Sequence, residues 1–181
     1  MGGRAHGLAV GPGGGERKRN PLGGDITFLV RGEQSNGALA AMEAVNAPGE
    51  GPPLHVHNRE DETAYILEGE FRWKLGDELS VTGPGSFVFI PRGLAHGWQV
   101  IGEQPGRMLF TFSPAGMEGF FDRLSSLEEF DPKAFRAAAA EYAMDAYDGH
   151  GFARLACDDA GGAEEMFSRA TAIYSDHARS L

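Results

Sequence analysis

Between Asp25 and Phe112 the chain repeats one pattern, a short apolar run closed by glycine, proline or charge. The runs read ITFLV, ALAAMEAV, ETAYIL, FRWKL, SFVFIP, HGWQVI and RMLFTF. Their β-branched and aromatic residues suit a pleated, half-buried surface, and regular spacing of short runs predicts an all-β sandwich or barrel. Glu68-Gly69-Glu70 and Gly76-Asp77-Glu78 carry the residues of tight hairpin turns, so a meander is expected. No helix-length pattern separates the runs, which disfavours parallel βαβ units.

Beyond Ser113-Pro114 the period changes. Met117, Phe120, Phe121 and Leu124 recur at helix spacing. Asp131-Pro132 is an N-cap followed by proline at the first helical position, and predicts a helix over KAFRAAAAEYAM. After a loop rich in Gly and Asp, Met166, Phe167, Ala170, Ile173 and Tyr174 form the stripe of a last helix. Residues 1–20 are rich in glycine and basic residues without apolar periodicity and read as a flexible N-terminal arm. Residues 21–114 are then the β domain, and residues 115–181 a helical extension packed on it.

Composition adds exclusions. A chain of 181 residues with 41% hydrophobic and 23% charged residues is long enough for one core and too short to favour two. Its formal net charge of -10 repels phosphate backbones and anionic lipid surfaces, so neither nucleic acid nor membrane is an expected partner. No run resembles a signal-peptide core, and a cytoplasmic location is expected. Cys157 is the single cysteine, which excludes an intrachain disulfide and leaves histidine and carboxylate as the metal ligands available.

The stretch GEGPPLHVHNREDE concentrates such ligands. In a strand, alternate side chains share a face, so His55 and His57 point the same way, their Cα atoms about 6.5–7 Å apart. Glu62 lies across a bend and can return to the same centre, and His96 follows a second strand and a proline turn. Three imidazoles and one carboxylate form a mixed N/O set suited to one divalent transition metal: Fe, Mn, Ni, Co, Cu or Zn. Glu60 and Asp61 read as solvated turn charges, and His6, His150 and His177 have no partner at useful spacing. Trp98 and Val100 share parity with His96, as Ala64 and Ile66 do with Glu62. With Phe71, Trp73 and Phe110 they define a candidate pocket of Ala64, Ile66, Phe71, Trp73, Trp98 and Phe110. Phe71, Trp73, Phe87, Phe89, Phe110 and Phe112 add aromatic bulk and each reads chiefly as core packing. A cavity with such walls suits a planar aromatic or polyketide-like ligand better than a sugar phosphate.

These residues resemble the two motifs of the cupin superfamily. Gly49, His55, His57, Glu62 and Gly69 match every position of the first motif. Gly85, Pro91, Gly93 and His96 match the second, whose final Asn is Val100 here. The resemblance implies a double-stranded β-helix, the jelly-roll barrel, with a metal held by His55, His57, Glu62 and His96 near one mouth. Among cupins, PPLHVHNREDETAYILEGEFRW, GSFVFIPRGLAHGW and SPAGMEGFFDRL are most similar to the single-domain quercetin 2,3-dioxygenase-like group. That likeness implies a dioxygenase acting on a small enolisable aromatic, with Glu62 as both ligand and general base. A non-oxidative cyclase, isomerase or decarboxylase on a polyketide-like substrate, and a non-catalytic sensor, use the same fold. Single-barrel cupins commonly pair, so a homodimer is expected.

Overall fold

The computed structural model of the protein describes residues 7–20, 23–52, 54–128 and 131–146. Its strands are β1 (Glu16–Arg19), β2 (Asp25–Val30), β3 (Ala40–Asn46), β4 (His55–His57), β5 (Asp61–Glu68) and β6 (Glu70–Leu75). There follow β7 (Glu78–Thr82), β8 (Phe87–Ile90), β9 (His96–Ile101), β10 (Gly106–Ser113), helices α1 (Met117–Ser125) and α2 (Pro132–Glu141), and β11 (Met144–Ala146). One sheet runs β1-β2-β3-β10-β5-β8 and the other β11-β4-β9-β6-β7, with all pairings antiparallel. This is the expected jelly-roll arrangement.

The order is not a meander. Gly76-Asp77 closes a two-residue β6–β7 hairpin, with glycine at positive φ in the first loop position as such a turn requires. Glu68-Gly69-Glu70 closes none, because β5 and β6 belong to different sheets. Gly69 is where the chain crosses between them. Its φ is 76°, and a Cβ there would lie 2.7 Å from the Gly106 Cα, so only glycine fits the crossing.

Alternation on β5 and β10 sorts side chains cleanly. Glu62, Ala64 and Ile66 are buried with Met108, Phe110 and Phe112, while Thr63 meets Thr111 on the outer face with hydroxyls 2.6 Å apart. Phe71 and Trp73 of β6 are closed into the core opposite Val100 and Trp98 of β9, and the Trp73 Nε1–H donates to Thr82 Oγ1 at 2.7 Å. That bond lets a large indole be buried without an unpaired donor.

Two expectations change outside the barrel. Residues 16–19, read as part of a flexible arm, form β1 and pair along their length with β2. The pairing is held by charge: Arg31 bonds both Glu16 and Asp122 of α1 and lies over the Phe28 ring at 4.0 Å. The helix read over KAFRAAAAEYAM ends at Glu141, where Ala143 takes a positive φ and turns the chain into β11 beside β4. The Asp131 carboxylate caps α2 by accepting from the Lys133 N–H at 2.8 Å. Helix α1 has no side-chain cap; Glu118 in its first turn instead accepts from the Gly32 and Gly116 N–H groups, tying it to the barrel. The helix read over Met166 to Tyr174, with His6, His150, Cys157 and His177, lies outside the described residues.

Candidate metal centre

Strand β4 is short, and His55 and His57 stand on its inner face. His55 pairs in register with His96 of β9, and Glu62 enters from β5 in the facing sheet. The four side chains are buried, and one ligand atom from each lies within 4.8 Å of the others. Nε2 of His55 and His57 are 3.2 Å apart, His57 Nε2 and Glu62 Oε2 3.2 Å, and His96 Nε2 and Glu62 Oε2 3.0 Å. Metal–ligand bonds of about 2.1 Å meeting at right angles put neighbouring donors about 3.0 Å apart, so these separations match a shared cation.

Ring orientation agrees. His96 Nδ1–H donates to the Leu94 carbonyl at 2.9 Å, the outer contact that metal-binding imidazoles use to fix the tautomer that frees Nε2. His57 Nδ1 is buried and has no partner among the described residues. The donor set therefore fits one divalent ion held by His55, His57, Glu62 and His96.

Burial pushes the Glu62 carboxyl up, but its close contacts with the His57 and His96 imidazoles outweigh that and hold the group well below the usual carboxylate range. Glu62 is an anion at neutral pH, the form that ligates a cation or receives a proton.

The neighbouring acids separate. Asp61 faces solvent and accepts from the Arg92 backbone N–H at 2.9 Å and from its guanidinium at 3.0 Å, which pins the segment before Glu62 to the loop before His96. These bonds lower its pKa from 3.8 to about 2. Because the folded value is the lower one, the contact's contribution to stability is complete above pH 3.8 and is lost as pH falls through about 2. An NMR titration of the Asp61 carboxyl should show its midpoint near 2; a midpoint near 4 would show that the bridge does not form in solution. Glu60, by contrast, is not the surface charge expected of it. It is fully buried, with Oε1 accepting from Arg59 Nε at 2.7 Å and Oε2 without a partner among the described residues.

A cavity opens directly from the ligands. On the barrel side it is lined by Trp98, Phe110 and Phe112; Phe112 meets His57 edge-on at 5.4 Å and Phe110 in a stacked arrangement at 6.3 Å. On the other side it is lined by Met117, Phe120 and Phe121 of α1, Phe135 of α2 and Met144 of β11, while Asn20 and Asn46 add polar groups to its wall. Of the six residues of the candidate pocket, four are thus displaced. Trp98 and Phe110 line the cavity, whereas Ala64, Ile66, Phe71 and Trp73 are shut into the core beyond it. The stripe on α1 was visible in the sequence; that it faces the metal ligands was not. Phe87 and Phe89 point to solvent instead of packing inside.

No helix among the described residues is long and apolar enough to cross a membrane. The family described as "Cupin domain" matches residues 42–112. Among curated proteins the chain is similar to "Polyketide synthase CurC" of Streptomyces cyaneus, 29% identical over 99 residues that cover 54% of this chain and 62% of that relative. The match thus spans about three-fifths of the relative's length. Among solved structures, an RmlC-like cupin from Shewanella frigidimarina is 24% identical with a TM-score of 0.54, covering 63% of this chain and 96% of the other. KdgF from Halomonas sp. is 21% identical with a TM-score of 0.52, covering 57% and 92%. At these identities the two structures speak for the fold. With both ligand motifs, the family match and the jelly-roll architecture in agreement, residues 42–112 are a cupin domain.

Proposed function

We propose that this cupin is a metal-dependent enzyme acting on a small, planar, enolisable aromatic compound, in the manner of a quercetinase-like dioxygenase. The observation that carries the reading is the aromatic cavity opening onto a buried three-histidine, one-carboxylate cluster. Trp98, Phe110 and Phe112 offer flat faces on one side and Phe120 and Phe121 on the other, which favours a flat ring system and excludes water from around it. A bound divalent ion would supply Lewis-acid polarisation of a substrate oxygen. Glu62, held as an anion against His57 and His96 and lining the cavity, would receive the proton of a substrate hydroxyl.

A second reading keeps the proton transfer and drops the oxygen: a cyclase, isomerase or decarboxylase on a polyketide-type substrate. The similarity to a protein named as a polyketide synthase component favours it. Metal-loaded protein should be offered flavonols and hydroxylated polyketide-type aromatics in an oxygen electrode. The dioxygenase predicts consumption of one O2 per substrate converted and no turnover in rigorously anaerobic buffer. Equal turnover with and without oxygen would replace it by the non-oxidative reading; tight metal binding without turnover of any compound would remove both.

A further inference from the structure

Strand β8 ends the six-stranded sheet, and its outer edge pairs with no described strand. Soluble proteins blunt such an edge with charge or an interrupting proline, because its free N–H and C=O groups otherwise recruit another strand. Here Gly83 to Ile90 carry no charged residue. The strand also displays large aromatics: Phe87 is 63% exposed and Phe89 57%, and Tyr65, opposite Phe87 on β5, is 42% exposed. Val88 and Ile90 point inward.

We infer that β8 is the dimerisation edge of this protein, pairing antiparallel with β8 of a second copy about a two-fold axis through Val88. Three observations favour a copy of the same chain over a foreign partner. The segment Phe87-Val88-Phe89 is the same read in either direction, so reversal about Val88 sets Phe87 opposite the Phe89 of the partner and Val88 opposite itself. An isologous interface requires that self-complementarity. In a chain of formal net charge -10, an uncharged edge is also where two copies approach with least repulsion.

Area is the third. With each aromatic side chain worth about 150–250 Å², the exposed fractions of Phe87 and Phe89 at the edge amount to roughly 240 Å² per copy, before backbone and neighbouring atoms are added. A standard interface uses about 800 Å² per partner, so these two side chains alone supply somewhat under a third of it. The pairing joins the two six-stranded sheets and leaves both cavities on their own barrels.

Sedimentation velocity between 1 and 100 µM should show wild-type protein at twice the chain mass. Phe87→Ser with Phe89→Ser, changes at exposed positions that leave the core intact, should raise the dimer dissociation constant at least 100-fold. Val88→Cys in a Cys157→Ser background tests the register separately. Residues directly opposite in an antiparallel pair lie about 4.5–5.5 Å apart, within disulfide range, so mild oxidation should yield a covalent dimer on a non-reducing gel. Wild-type protein that stays monomeric at 100 µM overturns the proposal, as does a dimer unmoved by the double serine change. A dimer lost in the serine variant but never cross-linked at position 88 overturns the two-fold through Val88.

Discussion

Replacing Glu62 with Gln is expected to lower turnover by at least about 100-fold while metal content stays close to that of wild type, because a general base contributes roughly 10²- to 10⁴-fold. Glutamine has nearly the shape of glutamate and keeps a carbonyl oxygen for coordination, and the three imidazoles are untouched. What it loses is the ability to take a proton. The natural comparison is His96→Ala, which removes a ring tied to the Leu94 carbonyl on one side and within 3.0 Å of Glu62 on the other. That variant should lose metal and activity together. Elemental analysis beside kinetics separates the two effects, and a Glu62→Gln enzyme with near-native turnover would show that the carboxylate serves only as a ligand.

Trp73→Ala should be the most destabilising single change in the barrel, by about 3–5 kcal/mol, the usual cost of emptying a large aromatic site in a close-packed core. That is a large share of the roughly 5–15 kcal/mol that holds a typical domain folded. Trp73 is fully buried against Phe71 and Trp98, and its truncation also strands Thr82 Oγ1 without its indole partner. Urea unfolding followed by circular dichroism measures the loss. Its aromatic bulk makes Trp73 a candidate for the ligand pocket in the sequence, whereas the structure sets it behind the pocket wall, and the two placements predict different phenotypes. Folded Trp73→Ala protein should bind a flat aromatic probe within about twofold of wild type. Trp98→Ala, which strips the wall itself, should weaken that probe about 2- to 10-fold, the value of one aromatic contact. If Trp73→Ala weakens the probe as much as Trp98→Ala does, the indole contacts the ligand after all.

Much of the centre was legible along the chain because the information is local. One residue between His55 and His57 sets both rings on one strand face, and the later spacings bring Glu62 and His96 to the same point once the two sheets close. Glu60 was not legible. Its neighbours Asn58, Arg59 and Asp61 are polar, and only the packing of its surroundings, with Arg59 beside it and Gly116 close by, shuts it away from water. The cavity's outer wall was half legible: the helical stripe of Met117, Phe120 and Phe121 is plain, but a stripe says that a face is buried and not what it is buried against.

Strand β8 shows where local reading ends. Phe87, Val88, Phe89 and Ile90 are all apolar, so a period of two divides them into two sets without saying which is inside. The pairing of β8 with β5 decides it, turning Val88 and Ile90 inward and the two larger rings to solvent. By itself, then, the sequence indicated most of the barrel strands through their periodicity, while its motif resemblance pointed to the jelly-roll class and to His55, His57, Glu62 and His96 as candidate ligands. The tertiary structure alone decided which aromatics face the cavity, the core or solvent, that β11 lies beside the histidine strand, and that α1 and α2 supply a wall of the site. Each of those depends on contacts between residues far apart in the chain, and on which surface remains uncovered when the elements are packed.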